Sequence, residues 1–110
     1  MNSALATDVF RTLADPTRRS IFERLAREGE LSVSALVGAA RVSQPAVSQH
    51  LKALRTVGLV KEQRRGRQVF YRVRPKGLRP MIDWMSLQSE LWRTSFDRFE
   101  TLLSEREGDA

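Results

Sequence analysis

Apolar positions in the first half of the chain recur at three- and four-residue intervals, the period of helices that each bury one stripe. Leu5, Val9 and Leu13, at i, i+4 and i+8, predict a first helix over about residues 3–14. Asp15-Pro16 then offers an N-cap followed by Pro at N1, opening a second helix that buries Ile21, Phe22 and Leu25 and runs out before Gly29. Ser32 can cap a short third helix reaching about Ala39, with Val33, Leu36 and Val37 inward. After the tight connection Ala40-Arg41-Val42, Ser43 is placed to cap a fourth helix that carries Pro45 in its first turn and ends at Gly58. Two short helices joined by a three-residue turn have the spacing of a helix-turn-helix, here over about 32–57.

Beyond Gly58 the period changes. LVKEQR and QVFYRV are rich in strand-forming residues and flank Arg65-Gly66, which predicts a hairpin over about 59–73. Val69, Tyr71 and Val73 alternate onto one face, expected to meet the core, and Arg64, Arg65, Arg67 and Arg72 are left for the outward face and the tip. Pro75 and Gly77 break the strand, and Pro80 begins a long helix expected to reach about Ser104. Its apolar positions include Met81, Trp84, Met85, Leu91, Trp92, Phe96 and Phe99. So long a stripe exceeds what this chain can cover alone, and a symmetric dimer is the commonest solution. The terminal helices, 3–14 and 80–104, are its expected elements, with Leu5 and Val9 joining those seven residues at the interface. The pattern predicts a mainly α fold with a small β-hairpin, a winged helix-turn-helix formed as one domain over residues 1–110.

In the fourth helix, Val47, Leu51 and Leu54 form one narrow apolar stripe. With that stripe inward, steps of about 100° put Pro45, Gln49, Lys52 and Thr56 outward and Gln44, Ser48 and Arg55 along one flank. Glutamine can bond an adenine edge twice, serine can bond several base edges, and lysine or arginine can reach guanine or phosphate. The N-terminal residues of such a helix normally point into the major groove. Gln44, Ser48 and Gln49 are therefore candidate base readers, Lys52 and Arg55 candidate contacts to phosphate or guanine, and Ser43 and Pro45 their neighbours. His50 lies at the edge of the stripe and is expected either to be partly buried and hydrogen-bonded or to touch phosphate. Ala46 and Ala53 are assigned to the exposed side. Arg64, Arg65 and Arg67 are candidate wing contacts to a minor groove or to phosphates, with solubility of a β-edge as the other reading.

Charge sharpens this picture through its placement. Residues 41–79 hold eleven basic residues against the single acid Glu62, a local charge of +10 that leaves −4 for the rest of the +6 chain. A basic block set into an otherwise acidic chain suits a polyanion. There is no cysteine, which excludes disulfides, thiolate metal sites and a cysteine nucleophile. The N-terminus lacks a basic segment followed by an apolar run, and no window approaches 18 uninterrupted apolar residues, so a soluble, cytoplasmic protein without a membrane partner is expected. The sole histidine lies in the fourth helix, no Gly-rich phosphate loop occurs, and the serines lack a base with an orienting group, so neither an enzyme nor a cofactor is expected.

With these residues in view, LADPTRRSI, the run SQPAVSQHLKALRTVGLV, and the Arg-Gly-Arg hairpin followed by FYRV resemble the ArsR family of bacterial transcriptional regulators over roughly residues 5–75. The resemblance implies a homodimeric winged-helix repressor of double-stranded DNA whose terminal helices form the dimer interface. Arsenic-sensing members carry cysteines in the segment matching ELSVSAL, where this chain has Ser32 and Ser34. Zinc-type members place Asp and His along the last helix, where this chain has Asp83, Glu90, Asp97 and Glu100 but no histidine. The departures imply no metal site and a place among metal-independent members, some of them autorepressors. A pseudo-palindromic operator follows from a two-fold dimer. An apolar effector near Trp84, Met85 and Trp92 stays open, as do two other readings: a winged-helix protein-interaction module and a protein that coats DNA without sequence preference.

Overall fold

The computed structural model describes residues 3–108. Five helices, α1 (Ser3–Ala14), α2 (Pro16–Glu28), α3 (Val33–Ala40), α4 (Gln44–Thr56) and α5 (Arg79–Gly108), frame a small antiparallel sheet of β1 (Leu31–Ser32), β2 (Val60–Arg65) and β3 (Gln68–Val73) in the order β1-β3-β2. This is a mainly α winged helix-turn-helix with a long C-terminal helix.

Local chemistry accounts for most boundaries. Asp15 Oδ1 accepts from the Arg18 backbone N–H at 2.9 Å, Ser32 Oγ from Ala35 at 3.1 Å and Ser43 Oγ from Ala46 at 3.3 Å, so each helix of the central trio begins on a side-chain cap. The same backbone N–H holds the Asp15 carboxyl below its ordinary range. At the far end of α4 the Gly58 N–H bonds to Arg55 O and the Leu59 N–H to Leu54 O, both at 2.9 Å, with Leu54 and Leu59 buried together. That is a Schellman ending, with Gly58 at φ +77° just past the cap Val57.

The core is the meeting of three helices with the sheet. Ile21, Phe22 and Leu25 of α2, Leu36 of α3, Val47, Leu51 and Leu54 of α4, and Leu59, Val60 and Tyr71 of the hairpin form one buried cluster, joined by Val9 of α1. Leu31 of β1 lies opposite Tyr71 and Ser32 opposite Phe70, so the chain entering α3 adds a third strand to the hairpin. The sequence pattern showed Ser32 only as a cap. A two-residue strand has no period of its own, and it forms because β3 presents a free edge to it.

Three further departures have simple causes. The inward side of α1 is Ala6, Val9, Thr12 and Leu13, whereas Leu5 is 49% exposed, because α1 packs on both α2 and α5 and turns a broader stripe inward. The break after β3 is a 3-10 helix, Pro75–Leu78, that runs directly into α5, which starts at Arg79 and continues to Gly108. Ala46 and Ala53 are half-buried rather than exposed, flanking the stripe of α4.

The 3-10 helix is seated against the turn that ends α4. Arg74 N donates to Leu59 O at 2.8 Å, and a Cβ on Gly77 would fall 2.1 Å from Gly58 O and 2.7 Å from its carbonyl carbon. Only glycine fits this approach, since the opposing atoms are backbone. α5 then leaves the body of the molecule: residues 91–106 are all exposed, and the radius of gyration is 19.0 Å. A compact domain of this length would have about 13 Å. Among the described residues no helix is long and apolar enough to cross a membrane.

Gly77→Ala should therefore cost about 2–3 kcal/mol, lowering Tm by roughly 10 °C or more. In Gly38→Ala the new methyl meets nothing within 4 Å, and it should stabilise α3 by about 0.5–1 kcal/mol. Thermal unfolding of the two variants checks both signs, and an unchanged Tm for Gly77→Ala would contradict the close approach.

Candidate nucleic-acid interface

Full burial of Val47, Leu51 and Leu54, each at 0% exposure, fixes the rotation of α4 about its axis. The opposite side is thereby presented outward: Ser43, Gln44, Pro45, Ser48, Gln49, Lys52, Arg55 and Thr56 are all exposed. His50 is half-buried, and its Nδ1 accepts from Arg18 Nε at 3.3 Å. Arg18 also donates to Thr12 O at 3.4 Å, so this guanidinium ties α4 to α2 and to the end of α1. Of the two roles expected for His50, the geometry supplies the hydrogen-bonded one.

The wing divides its arginines between two faces. In the register Val60↔Val73, Glu62↔Tyr71 and Arg64↔Val69, these residues share the face turned toward the helices, whereas Lys61, Gln63, Arg65, Gln68, Phe70 and Arg72 belong to the other. The turn is Gly66-Arg67, between the pair Arg65↔Gln68, with φ +63° at Gly66 and no positive φ at Arg67, the pattern of a II′ turn. Arg64 consequently lines a polar cleft of about 290 Å³ with Ser34, Gln44 and Ser48, and Arg67 and Gln68, at the tip of the wing, border it as well. The expected outward placement of Arg64 is thus corrected: it faces the cleft.

Arg65 is directed elsewhere. Its guanidinium makes a two-pronged pair with Glu30, 3.1 Å for Nη2 to Oε2, bonds Gln63 at 3.3 Å and lies 5.0 Å from the centre of the Phe70 ring. It spans the outer face of the sheet and fastens the wing to the segment before β1. Arg55 is also engaged, donating to Glu62 Oε2 at 2.7 Å, and the Tyr71 hydroxyl donates to the same oxygen at 2.7 Å. Burial, with the Glu62 carboxylate beside it, pushes the Tyr71 phenol up to about 12. Glu62 and Tyr71 were not singled out from the sequence as site residues. The lone acid in a basic block was the available signal for Glu62. Ser34 and Gln68 were missed too, because their place in the cleft depends on β1 and on the hairpin register.

The residues expected at a dimer interface fall into two groups. Leu5 is 49% exposed, Trp84 37%, Met85 51%, Leu91 65%, Trp92 54%, and Phe96 and Phe99 60% each, and with Phe10 they leave a long apolar face open. Val9 is 2% exposed and Met81 half-buried against the core, so the surface of Val9 is spent within the protomer and only part of Met81 remains. Phe10 and Trp84 meet edge to face at 5.4 Å, joining α1 and α5 into this one face.

The metal donors that the described residues offer are few and mostly engaged. The chain has no cysteine, its single histidine is bonded to Arg18, Asp83 accepts from Arg79 at 2.9 Å and Glu90 from Arg93 at 3.1 Å. Among the described residues no three His, Cys, Asp or Glu side chains come together as a potential metal site.

Comparison with known proteins agrees with this geometry. A helix-turn-helix domain family matches residues 13–63. The HTH-type transcriptional regulator Rv2034 of Mycobacterium tuberculosis is 44% identical over 92 residues, covering 84% of this chain and 75% of that protein. The arsenic resistance transcriptional regulator ArsR1 of Pseudomonas putida is 46% identical over 68 residues, covering 62% of this chain and 53% of that protein, so the match spans about half of that relative's length. Among solved structures, an ArsR family transcriptional regulator, RHA00566, superposes with a TM-score of 0.76 at 28% identity, covering 84% of this chain and 95% of that one. The homodimeric winged helix-turn-helix DNA-binding domain of Mb0332 from Mycobacterium bovis gives a TM-score of 0.63 at 28% identity, covering 79% and 81%. A capped helix-turn-helix, a wing sharing a cleft with its second helix, and these matches together show that the chain belongs to the ArsR family of transcriptional regulators.

Proposed function

We propose that this chain is a homodimeric repressor that reads a pseudo-palindromic operator in double-stranded DNA, and that its DNA binding is not switched by a metal held through cysteine or histidine. The observation that carries the reading is the shared cleft, in which base-reading side chains of α4 and cations of the wing converge: Gln44, Ser48, Arg64 and Arg67. Gln44, Ser48 and Gln49 meet base edges in the major groove while Lys52, Arg64 and Arg67 hold phosphates. Repression is steric, each dimer occupying promoter DNA that polymerase needs, and the chain's own promoter is the first operator to test.

The dimer rests on the open face of α1 and α5 and on the homodimeric state of the Mycobacterium bovis relative. The hollow of about 370 Å³ between Ala6, Phe10 and Trp84 belongs to this face and is filled by the partner copy rather than by an effector. The absence of metal control rests on the donor chemistry above.

Fluorescence anisotropy at about 150 mM salt, where purely electrostatic binding is already weakened, should show a preference of at least roughly 10³-fold for the promoter fragment over a length-matched random one. Equal weak binding would support a coating protein, and no binding an interaction module. Gln49→Ala should lose about 1–3 kcal/mol of discrimination between operator variants while weak binding to random DNA persists. Arg67→Ala should weaken binding to every sequence and flatten the salt slope by about 0.9 per protomer. Arg65→Ala should move that slope far less, because Glu30 holds this guanidinium on the outer face; equal slope changes for Arg65 and Arg67 would sink the two-face assignment. Leu91→Glu should sediment as a monomer, and a persistent dimer would place the interface elsewhere.

A further inference from the structure

Glu62 is the only acid among the eleven basic residues of positions 41–79, and it stands in the cleft that Arg64, Arg67, Gln44 and Ser48 line. A segment selected only to attract phosphate has no use for a carboxylate there, since a negative charge in a positive cleft repels the incoming backbone. Its placement is specific. One oxygen, Oε2, accepts from Arg55 Nη1 and from the Tyr71 hydroxyl, both at 2.7 Å, bridging the last turn of α4 to the wing. The side chains of the pair are 48% and 35% exposed for Arg55 and Glu62, so solvent and DNA reach both partners. Exposed ion pairs are weakly held, and the oxygens of a phosphate can accept from the Arg55 guanidinium in place of the carboxylate oxygen.

Resting on the DNA-binding reading above, we propose that Glu62 is a positioning residue that acts as an internal stand-in for phosphate: it occupies Arg55 in the free protein, competes with DNA for it, and so sets the strength and salt dependence of binding. Contact of Arg55 with DNA requires the guanidinium to exchange carboxylate for phosphate. Tyr71, hydrogen-bonded from the core, keeps the carboxylate aimed at Arg55 throughout. Lys52, Arg64 and Arg67 have no ion pair among the described residues. They make the first electrostatic contact, and Arg55 is the one cation of the reading helix held in reserve.

The test is Glu62→Gln in the full chain, bound to a random-sequence duplex across a salt series by fluorescence anisotropy. The amide oxygen can still accept from Arg55 and Tyr71, so the shape of the site is kept while its charge is removed. One added phosphate contact is worth a slope of about 0.9 and, between 1 M and 0.15 M salt, about fivefold in affinity. The variant should bind about that much tighter per protomer, with a slope steeper by about 0.9. Glu62→Ala should steepen the slope similarly even if it lowers Tm. The protein's single tyrosine gives an independent readout by ultraviolet absorbance: its phenol, pushed up to about 12 first by burial and then by the Glu62 carboxylate, should ionise at lower pH in Glu62→Gln, where the burial remains and the carboxylate's charge is gone. Unchanged affinity and slope, weaker binding without a steeper slope, or an unmoved tyrosine titration would each overturn the proposal. A parent protein that binds no DNA would overturn the DNA-binding reading and this one with it, whereas parental binding matched by Glu62→Gln would overturn this one alone.

Discussion

Three aliphatic side chains with no exposed surface, Val47, Leu51 and Leu54, hold α4 in its one rotational setting. Burial of each stabilises the fold by about 1.5–3 kcal/mol, and turning α4 by one residue would expose part of that stripe while burying Ser48 or Lys52 without partners. The stripe is narrow enough that everything outside it is released for other chemistry. Leu25 and Leu36 receive it from the helix side and Leu59 from the turn, so α2, α3 and the wing are all positioned by the same contact. The direction of Gln44, Ser48 and Gln49 is in this sense a consequence of hydrophobic packing, although none of these residues is apolar.

What was legible in the sequence follows from the range of the interactions involved. Asp15, Ser32 and Ser43 cap their helices through contacts three residues away, so residue type and spacing were enough to locate three helix starts. The stripe of α4 was legible for the same reason. The strand β1 was not, since Leu31 and Ser32 become a strand only by pairing with Tyr71 and Phe70 some forty residues on. The wing shows the same limit: alternation along β3 was enough to place Val69, Tyr71 and Val73 inward, but the face of Arg64 is set by its pairing with Val69 across the hairpin, a register that the pattern along β2 alone does not display. Arg64 was therefore assigned outward when it lines the cleft. The fate of Arg55 and Arg65 was beyond any local pattern, since their partners Glu62 and Glu30 are brought to them by the fold.

Electrostatics in this molecule is more finely divided than a net charge of +6 conveys. Arg65 and Arg55, both counted in the basic block, are each matched to one carboxylate, and the matched pairs serve the architecture: one fastens the wing to the start of β1, the other links the wing to α4. Lys52, Arg64 and Arg67 keep their charge unmatched among the described residues, and two of them face the cleft. Long-range attraction of a polyanion depends on the whole block. Close-range contact depends on which guanidinium groups are free and how they are aimed, and that is a property of the strand register.

The same backbone joint governs how two such reading surfaces would be spaced. The 3-10 helix that launches α5 is seated on the turn ending α4, with Gly77 against Gly58 and Arg74 bonded to Leu59, so no flexible linker separates the exposed apolar helix from the reading helix. A two-fold pairing through α5 would transmit its geometry directly to both copies of α4. Operator half-sites must match the separation of the reading helices to within a fraction of a helical turn. A rigid joint would make that separation a fixed property of such a dimer, because in a joint built on backbone contact no side chain can be repacked to absorb a shift.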